Sequence, residues 1–354
     1  MRGPRAWLIG FVILCVALAV VGAPGVRAQG PATKVGLVFD VGGRGDLSFN
    51  DMAYAGLERA VKTYSSRLTT KYLEPTAGGQ GREELLRLLA EGKYDLIIGV
   101  GFLFTDAITK VAKDFPAARF AIVDGCPDAP TANVACLLFK EQEGSFLVGA
   151  LAGMYTKTNK VGFVGGMKIP LIERFEAGYA AGATYVNRKV AVYVDYAGAT
   201  GEAFKDPVKG KELALAQYDR SADVIYHASG ATGIGVFEAA VTRNKKAIGV
   251  DADQSLTVPA SERPHILTSM TKRVDVAIFG TIRALIGGAW KPGPQVFGLK
   301  EGGVGYAVNQ YNKALLGPYV PKLEALKKDI MAGKIKVPAT KQELQTFLQS
   351  LGGK

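Results

Sequence analysis

The sequence has few of the residues and motifs on which most enzyme and metal sites depend. Only two histidines, His227 and His265, and three cysteines occur in 354 residues, and there is no Cys-x-x-Cys pair. Zinc sites are built from clusters of such residues, so no zinc site is recognisable. A Gly-x-Ser-x-Gly nucleophile elbow is also absent, and neither histidine stands in an evident triad setting. These absences argue against an enzyme and predict no metal and no cofactor.

Phosphate-binding and nucleic-acid-binding signatures are missing as well. There is no Gly-x-x-x-x-Gly-Lys loop, and Gly233-Ile234-Gly235 continues to Glu238, where a dinucleotide fingerprint needs its last glycine. The net charge of +11 is scattered, with its densest run at 243–246. Such a run is typical of a solvated loop. Without interleaved aromatic residues it does not predict nucleic-acid binding.

The N-terminal segment has the three parts of a secretory signal peptide. Arg2 and Arg5 precede an apolar run over residues 7–23, and Val26-Arg27-Ala28 supplies small residues at the cleavage positions. We expect residues 1–28 to be removed by cleavage near Ala28, which leaves a periplasmic or secreted protein. The alternative is an uncleaved membrane anchor, because the run is at the short edge of the roughly 17–25 residues that span a bilayer.

The cysteines bear on both lipidation and cross-linking. Cys15 lies inside the apolar run, after Leu14, rather than at its end after a small residue, so lipid attachment is not expected. Cys126 and Cys136 remain after cleavage, and an even number of cysteines in an oxidising compartment favours a disulfide. Two buried free thiols are the alternative.

The rest of the chain repeats one pattern, an apolar strand followed by a turn and a helix. The chain is longer than one hydrophobic core usually covers, so we expect two domains. Apolar runs rich in Val and Ile predict strands that are buried on both faces of a parallel sheet, and their alternation with helices predicts a doubly wound α/β fold. The predicted strands fall at 35–39, 96–100, 120–123, 161–164, 190–194, 224–226 and 247–250.

In an open parallel sheet the ligand lies beyond the carboxyl ends of the strands. Polar or glycine residues stand at these ends: Asp40, Gly101-Phe102, Asp124-Gly125, Gly165-Gly166, Ser229-Gly230 and Asp251-Ala252-Asp253. A site lined with carboxylates repels phosphate and suits neutral ligands rich in hydroxyl and N–H donors, such as sugars, nucleosides and polyols. Asp251 and Asp253 could alternatively form an acid–base pair or bind calcium.

Several segments resemble one known family. Residues 40–50, DVGGRGDLSFN, resemble the opening signature of the basic-membrane-protein family, the PnrA-like purine-nucleoside receptors of ABC transporters. Segments that resemble the same family follow in order at 120–125, 139–147, 164–170, 248–254 and 267–272. The resemblance implies a fold similar to periplasmic binding proteins of type I, with two Rossmann-like lobes, three crossovers and the ligand in the cleft.

The resemblance also implies lobe boundaries. We expect the N-terminal lobe over 33–138 plus 256–290 and the C-terminal lobe over 139–255 plus 291–354.

Site residues are carried over from the same family signature. Asp40, Asn50 and Gly230 match positions at the cleft, and Phe49 matches an aromatic residue that stacks on a purine. Asp124 matches an acid that accepts from base N–H groups, and Asp251 with Lys272 matches a pair that holds the ribose hydroxyls, with Lys272 keeping Asp251 ionised. Phe204 is the second stacking residue that we expect, with Tyr196 as the alternative.

The sequence therefore predicts a monomeric substrate-binding protein of an ABC importer. It would bind a purine nucleoside, deliver it to a membrane permease and bind no nucleic acid. A binding protein for a sugar or another neutral solute, and a ligand sensor of the same fold, are the alternatives.

Overall fold

The computed structural model describes Met1 and residues 31–75 and 81–352. The predicted signal peptide therefore lies, apart from Met1, outside the described residues. Within the described ranges no helix combines the length and the apolar character that crossing a bilayer requires.

Two six-stranded sheets form the framework. The strand order of the first sheet is β11 (Gly293–Phe297), β5 (Val134–Phe139), β4 (Arg119–Val123), β3 (Leu96–Val100), β1 (Thr33–Val38) and β2 (Leu68–Leu73), with all pairs parallel. The order of the second is β12 (Val304–Tyr306), β10 (Ile266–Lys272), β9 (Lys246–Asp251), β8 (Val224–Ala228), β6 (Lys160–Met167) and β7 (Ala191–Gly198). Only its edge pair, β10 with β12, is antiparallel.

Helices alternate with the strands, as the apolar runs predict for buried parallel sheets. They are α1 (Phe49–Tyr64), α2 (Arg82–Glu91), α3 (Thr105–Asp114), α4 (Glu141–Tyr155), α5 (Pro170–Val186), α6 (Pro207–Asp219), α7 (Thr232–Arg243), α8 (Val274–Ile286), α9 (Lys313–Leu316), α10 (Val320–Met331) and α11 (Lys341–Gly352). We call the first sheet with its helices the first lobe and the second sheet with its helices the second lobe.

The chain passes between the lobes three times, which confirms the predicted fold class. It crosses after Phe139, where β5 leads to α4, and after Lys272, where β10 leads to α8. α8 packs against α1 in the first lobe. The third crossing lies between Phe297 and Val304, where β11 leads to β12.

The expected lobe boundaries are wrong for two strands. β10, expected in the first lobe within 256–290, pairs with β9 of the second sheet. β11, expected in the second lobe within 291–354, pairs with β5 of the first sheet. β10 is almost entirely buried, so its apolar pattern does not reveal which sheet it joins. β11 is a short edge strand with exposed residues, and its sequence carries no pattern that indicates either sheet.

A disulfide joins Cys126 to Cys136 with a Cα–Cα distance of 5.2 Å. That distance is within the range that disulfides adopt. It links the loop after β4 to β5, and it excludes the alternative of two free thiols.

The pair α4 and α5 packs with unusually close backbones. α4 is buried around most of its circumference. A Cβ placed on Gly182 of α5 would lie 2.0 Å from the carbonyl oxygen of Phe146. Glycine is therefore required at this position by the separation of the two helices.

We expect Gly182→Ala to lower the free energy of unfolding by about 1–3 kcal/mol or more, because the helices must separate to admit the methyl group. Gly280→Ala in α8 is the matched control, since no atom lies within 4 Å of its added Cβ. The control should be neutral or stabilising by about 0.5–1 kcal/mol, because alanine is the better helix former. Urea unfolding of both variants measures this difference, and equal changes would contradict the packing argument.

Candidate ligand-binding cleft

The cleft lies between the lobes at the carboxyl ends of strands from both sheets. It contains a cavity of about 70 Å³. All eight residues expected from the sequence line this cavity: Asp40, Phe49, Asn50 and Asp124 from the first lobe, and Phe204, Gly230, Asp251 and Lys272 from the second.

The loop that leads into α1 is held by a buried acid that the sequence reasoning missed. Asp46 accepts hydrogen bonds from the backbone N–H groups of Ser48 (2.9 Å), Asn50 (2.8 Å) and Asp51 (3.1 Å). Such bonds satisfy donors at a helix start that have no partner within the helix. Burial raises the pKa of Asp46 to about 6, against the lowering effect of these bonds. An acid two residues before a serine at a predicted helix start was the available signal.

The side chain of Asn50 links Asp40 at the end of β1 to Asp46 in the loop before α1. Its Oδ1 accepts from the backbone N–H of Asp40 at 3.0 Å, and its Nδ2 donates to Asp46 at 3.1 Å. Both ends of the amide are therefore engaged within the first lobe.

Asp40 is likewise engaged. Its Oδ1 accepts from the backbone N–H of Val41 at 2.7 Å and from Nη2 of Arg82 at 2.9 Å. Burial raises the pKa of Asp40, although Arg82 opposes the shift.

A buried charge cluster occupies the centre of the cleft. The ammonium of Lys272 donates to Oδ2 of Asp124 at 2.5 Å and lies 3.1 Å from Oε1 of Glu141. Burial alone would lower the pKa of Lys272, but Asp124, Glu141 and Asp251 outweigh it and raise that pKa. Lys272 therefore stays charged. Glu141 belongs to this cluster but was not predicted from the sequence.

Lys272 and Asp251 form no ion pair in the described structure. Oδ2 of Asp251 accepts instead from the hydroxyl of Ser48 at 2.5 Å. Burial raises the pKa of Asp251 to about 7, and Lys272 and the Ser48 bond only partly offset this rise. The ammonium cannot hold Asp251 ionised to the extent expected, because it is bonded to Asp124.

The other oxygen of Asp124 is one of nine buried side-chain atoms that have no hydrogen-bond partner among the described residues. Oδ1 is buried, and no group in the described part of the chain donates a hydrogen bond to it. Buried acceptors almost always have a hydrogen-bond donor, and a buried acceptor without one costs about 1–3 kcal/mol of stability. Burial raises the pKa of Asp124, with Lys272 opposing the shift and Glu141 reinforcing it.

Aromatic rings form the apolar walls. The Lys272 ammonium lies 5.3 Å from the ring centroid of Phe49, 5.1 Å from that of Phe139 and 5.4 Å from that of Phe175. These distances are within the range of cation–π attraction. Phe175 also lines the cavity and was missed, because on α5 it follows the same apolar pattern as core residues.

Phe204 lies on the opposite lobe from Phe49. Its ring meets that of Phe102 edge-on, with centroids 6.2 Å apart. A Cβ on Gly166 would lie 2.2 Å from the Phe204 ring, so glycine makes room for it. Tyr196, the alternative, does not line the cavity, and its hydroxyl donates to Glu176.

Two of the cleft acids sit in strained backbone. Asp124, after β4, has φ of 64°, and Asp251, at the end of β9, has φ of 63°. Non-glycine residues in this left-handed region cost about 1–3 kcal/mol each unless the surroundings hold them, and they cluster at functional sites.

Hydrogen bonds near the cleft connect the lobes directly. Ser48 of the first lobe bonds to Asp251 of the second, as described above. Nε2 of Gln254 donates to the carbonyl oxygen of Leu47 at 3.1 Å. We call these two bonds the interlobe latch.

The alternative role of Asp251 and Asp253 finds no support in the geometry. Asp253 accepts from Ser255 at 2.9 Å and from Asn309 at 2.6 Å, and it does not line the cavity. Over the described ranges no group of three or more His, Cys, Asp or Glu residues is arranged to hold a metal ion.

Comparison with known proteins identifies the family. Residues 33–341 match the family described as ABC transporter substrate-binding protein PnrA-like. The chain belongs to this family. The chain is thus a member of a solute-binding family rather than of an enzyme family, as the resemblance predicted.

Individual relatives agree with this assignment. The chain is 38% identical over 316 residues to an uncharacterized lipoprotein of Pyrococcus furiosus, covering 84% of this chain and 77% of that protein. It is 33% identical over 321 residues to the ABC transporter nucleoside-binding protein BmpA of Lactococcus lactis, covering 86% and 89%. A crystal structure of an ABC transporter solute-binding protein from Aeropyrum pernix superposes with a TM-score of 0.79 at 31% identity, covering 91% and 98%.

We expect Ser48→Ala to open the ligand-free protein. A hydrogen bond to a carboxylate contributes about 1.5–3 kcal/mol, so its loss should reduce the ratio of closed to open molecules by about 10- to 150-fold. Small-angle X-ray scattering measures this as a larger radius of gyration. Ser66→Ala, at an exposed serine after α1, is the control and should scatter like the wild type. Identical scattering of all three proteins would rule out a closing role for the latch.

We expect Asp251→Asn to stabilise the protein at high pH. A carboxyl group whose folded pKa is raised stabilises the fold below its unfolded pKa, near 4, and loses that contribution as pH rises through about 7. The amide carries no charge and keeps an acceptor for Ser48. The gain should therefore be small at pH 5 and larger at pH 8, up to about 4 kcal/mol. Urea unfolding at both pH values tests this, with exposed Asp128→Asn as the control; a pH-independent gain would contradict it.

Proposed function

We propose that this protein binds a purine nucleoside in the interlobe cleft and delivers it, outside the cytoplasm, to the permease of an ABC importer. The observation that carries the proposal is Oδ1 of Asp124, a buried acceptor without a donor in a cavity walled by aromatic rings. A purine supplies what this arrangement lacks, namely N–H groups in the plane of a flat apolar ring.

The walls of the cavity suit a flat ligand. Phe49 and Phe204 lie on opposite lobes and line the same cavity. Stacking of an aromatic pair contributes about 0.5–1.5 kcal/mol beyond the burial of apolar area. We assign the two rings to the two faces of the base, in keeping with the family resemblance.

The far side of the cavity suits a sugar. Asp251 uses Oδ2 for Ser48, and Gly230 follows β8 with φ of 57°, where its backbone lines the cavity without a side chain. A remaining carboxylate oxygen and an exposed backbone accept or donate hydrogen bonds to ribose hydroxyls. Lys272 acts through Asp124 in this proposal, because its ammonium bonds to that acid.

The charge of the cleft disfavours phosphate. Asp40, Asp46, Asp124 and Asp251 line the cavity together with a single lysine. A nucleoside is neutral, whereas a nucleotide would bring its phosphate charges close to these carboxylates. The Lactococcus lactis relative, named a nucleoside-binding protein, agrees with this ligand class.

Isothermal titration of the mature protein with guanosine, inosine, adenosine and ribose tests the ligand class. We expect at least one purine nucleoside to bind and ribose alone to bind far more weakly, because ribose makes neither the stacking contact nor the Asp124 bond. Tight ribose binding without nucleoside binding would instead identify a sugar-binding protein.

Two variants then separate recognition of the base from recognition of the sugar. Asp124→Asn should weaken guanosine and guanine alike, by about 5- to 150-fold. The single amide oxygen would face the Lys272 ammonium, so the amide N–H groups would oppose the ligand N–H and leave it unpaired, which costs about 1–3 kcal/mol. Asp251→Ala should weaken guanosine strongly but guanine little, since only guanosine carries ribose hydroxyls. Dissociation constants from titration decide this. Asp128→Asn, exposed in the loop after β4, is the control, and unchanged guanosine affinity in Asp124→Asn would refute the proposed role.

A further inference from the structure

Glu141 is a buried charge that the function described so far does not use. It is the first residue of α4, just after the first crossing between the lobes, and its side chain is 0% exposed. A buried carboxylate is costly unless it is paired. Its position in the chain alone does not explain why an acid is found there.

The partners of Glu141 are cations only. Oε1 lies 3.1 Å from Nζ of Lys272 and Oε2 lies 3.5 Å from Nη1 of Arg174. Neither contact has hydrogen-bond geometry, and no other group of the described chain donates to either oxygen. Glu141 therefore acts on its surroundings through charge rather than through a directed bond.

Lys272 is consequently shared between two acids. Its ammonium bonds to Oδ2 of Asp124 at 2.5 Å. The carboxylate of Glu141, which belongs to α4, attracts the same ammonium from a second direction. The three phenylalanine rings around the ammonium restrict its other directions. An ammonium has three donors, and without a second acid it would be free to approach both oxygens of Asp124.

We propose that Glu141 is a positioning residue of the ligand site, which holds the Lys272 ammonium on one side of Asp124 and thereby keeps Oδ1 available to the ligand. This inference rests on the proposed function only in its choice of guanosine as the probe. The neighbouring Glu143 serves a different purpose, since its Oε2 accepts from the backbone N–H of Leu299 at 2.8 Å on the third crossing.

The charges that face Asp124 set the direction of the expected effect. They are Lys272 on β10, Glu141 on α4, Arg174 on α5 and Asp251 on β9. Of these, Glu141 raises the pKa of Asp124, whereas Lys272 and Arg174 lower it. Removing the Glu141 charge should lower that pKa both directly and by giving Asp124 a larger share of the ammonium.

The test uses Glu141→Gln, which keeps the shape of the side chain and removes its charge. In the ligand-free mature protein, the Asp124 carboxyl is titrated by NMR after labelling of aspartate Cγ with carbon-13, and Asp124→Asn identifies its signal. We expect a lower pKa for Asp124 in Glu141→Gln. We also expect guanosine affinity at pH 7.5 to fall by about 10-fold, since Oδ1 would be occupied by the ammonium.

Two further variants separate positioning from a general hinge role. Glu143→Gln is the matched control, because Glu143 lies two residues after Glu141 on α4 and does not contact Lys272. This variant should leave the pKa of Asp124 unchanged. Glu141→Asp keeps the charge but withdraws it from Lys272 by one methylene, so the Asp124 pKa and the guanosine affinity should lie between those of the wild type and Glu141→Gln. It also serves as the test variant if Glu141→Gln does not fold, in which case a lowered Asp124 pKa supports the proposal and a pKa equal to that of the wild type overturns it.

The outcomes distinguish this inference from the proposed function. An unchanged Asp124 titration in Glu141→Gln, or an equal loss of guanosine affinity in Glu143→Gln, would overturn the positioning role. If wild-type protein binds no purine nucleoside, the proposed function fails, while the ligand-free titration still decides the role of Glu141.

Discussion

A single buried ammonium group, Nζ of Lys272, fixes the charges of the cleft. It stands at the second crossing between the lobes, bonds to Asp124 of the first lobe and faces Glu141 at the first crossing. A buried charge persists only where partners compensate for lost hydration. The position of each partner is therefore constrained by the others, and small movements of the lobes alter the same group of contacts.

The burial and the backbone conformation of the cleft acids lower the free energy of unfolding of the protein. Burial raises the pKa of Asp46, Asp124 and Asp251, so that ionising them near neutral pH opposes folding. Asp124 and Asp251 also adopt left-handed backbone, which costs further free energy. Packing elsewhere offsets these costs, most visibly where α4 and α5 approach through glycine. A ligand with a hydrogen-bond donor would satisfy the open acceptor Oδ1 of Asp124.

Much of this arrangement could be predicted from the sequence, because parallel sheets collect their strand ends at one edge. The apolar runs located the strands, and the residues that follow them, together with the family signature, located all eight cleft positions. The partners of those residues could not be predicted. The acid that bonds to Lys272 depends on the angle between the two lobes, because Asp124 lies on the other lobe. That angle is set by contacts between residues that are far apart in the sequence. Phe175 was missed because a helical aromatic residue beside a cavity has the same sequence pattern as one in the core.

Closure and recognition share residues, which links the two physically. Asp251 uses one oxygen for Ser48 across the lobes, and the same residue lines the cavity. A ligand that made a bond to Asp251 would therefore add to a residue that already joins the lobes. Any preference of the ligand for the closed form shifts the population toward it by that difference in affinity. Because Ser48 and Gln254 join the lobes through these two hydrogen bonds, separating the lobes requires breaking both of them.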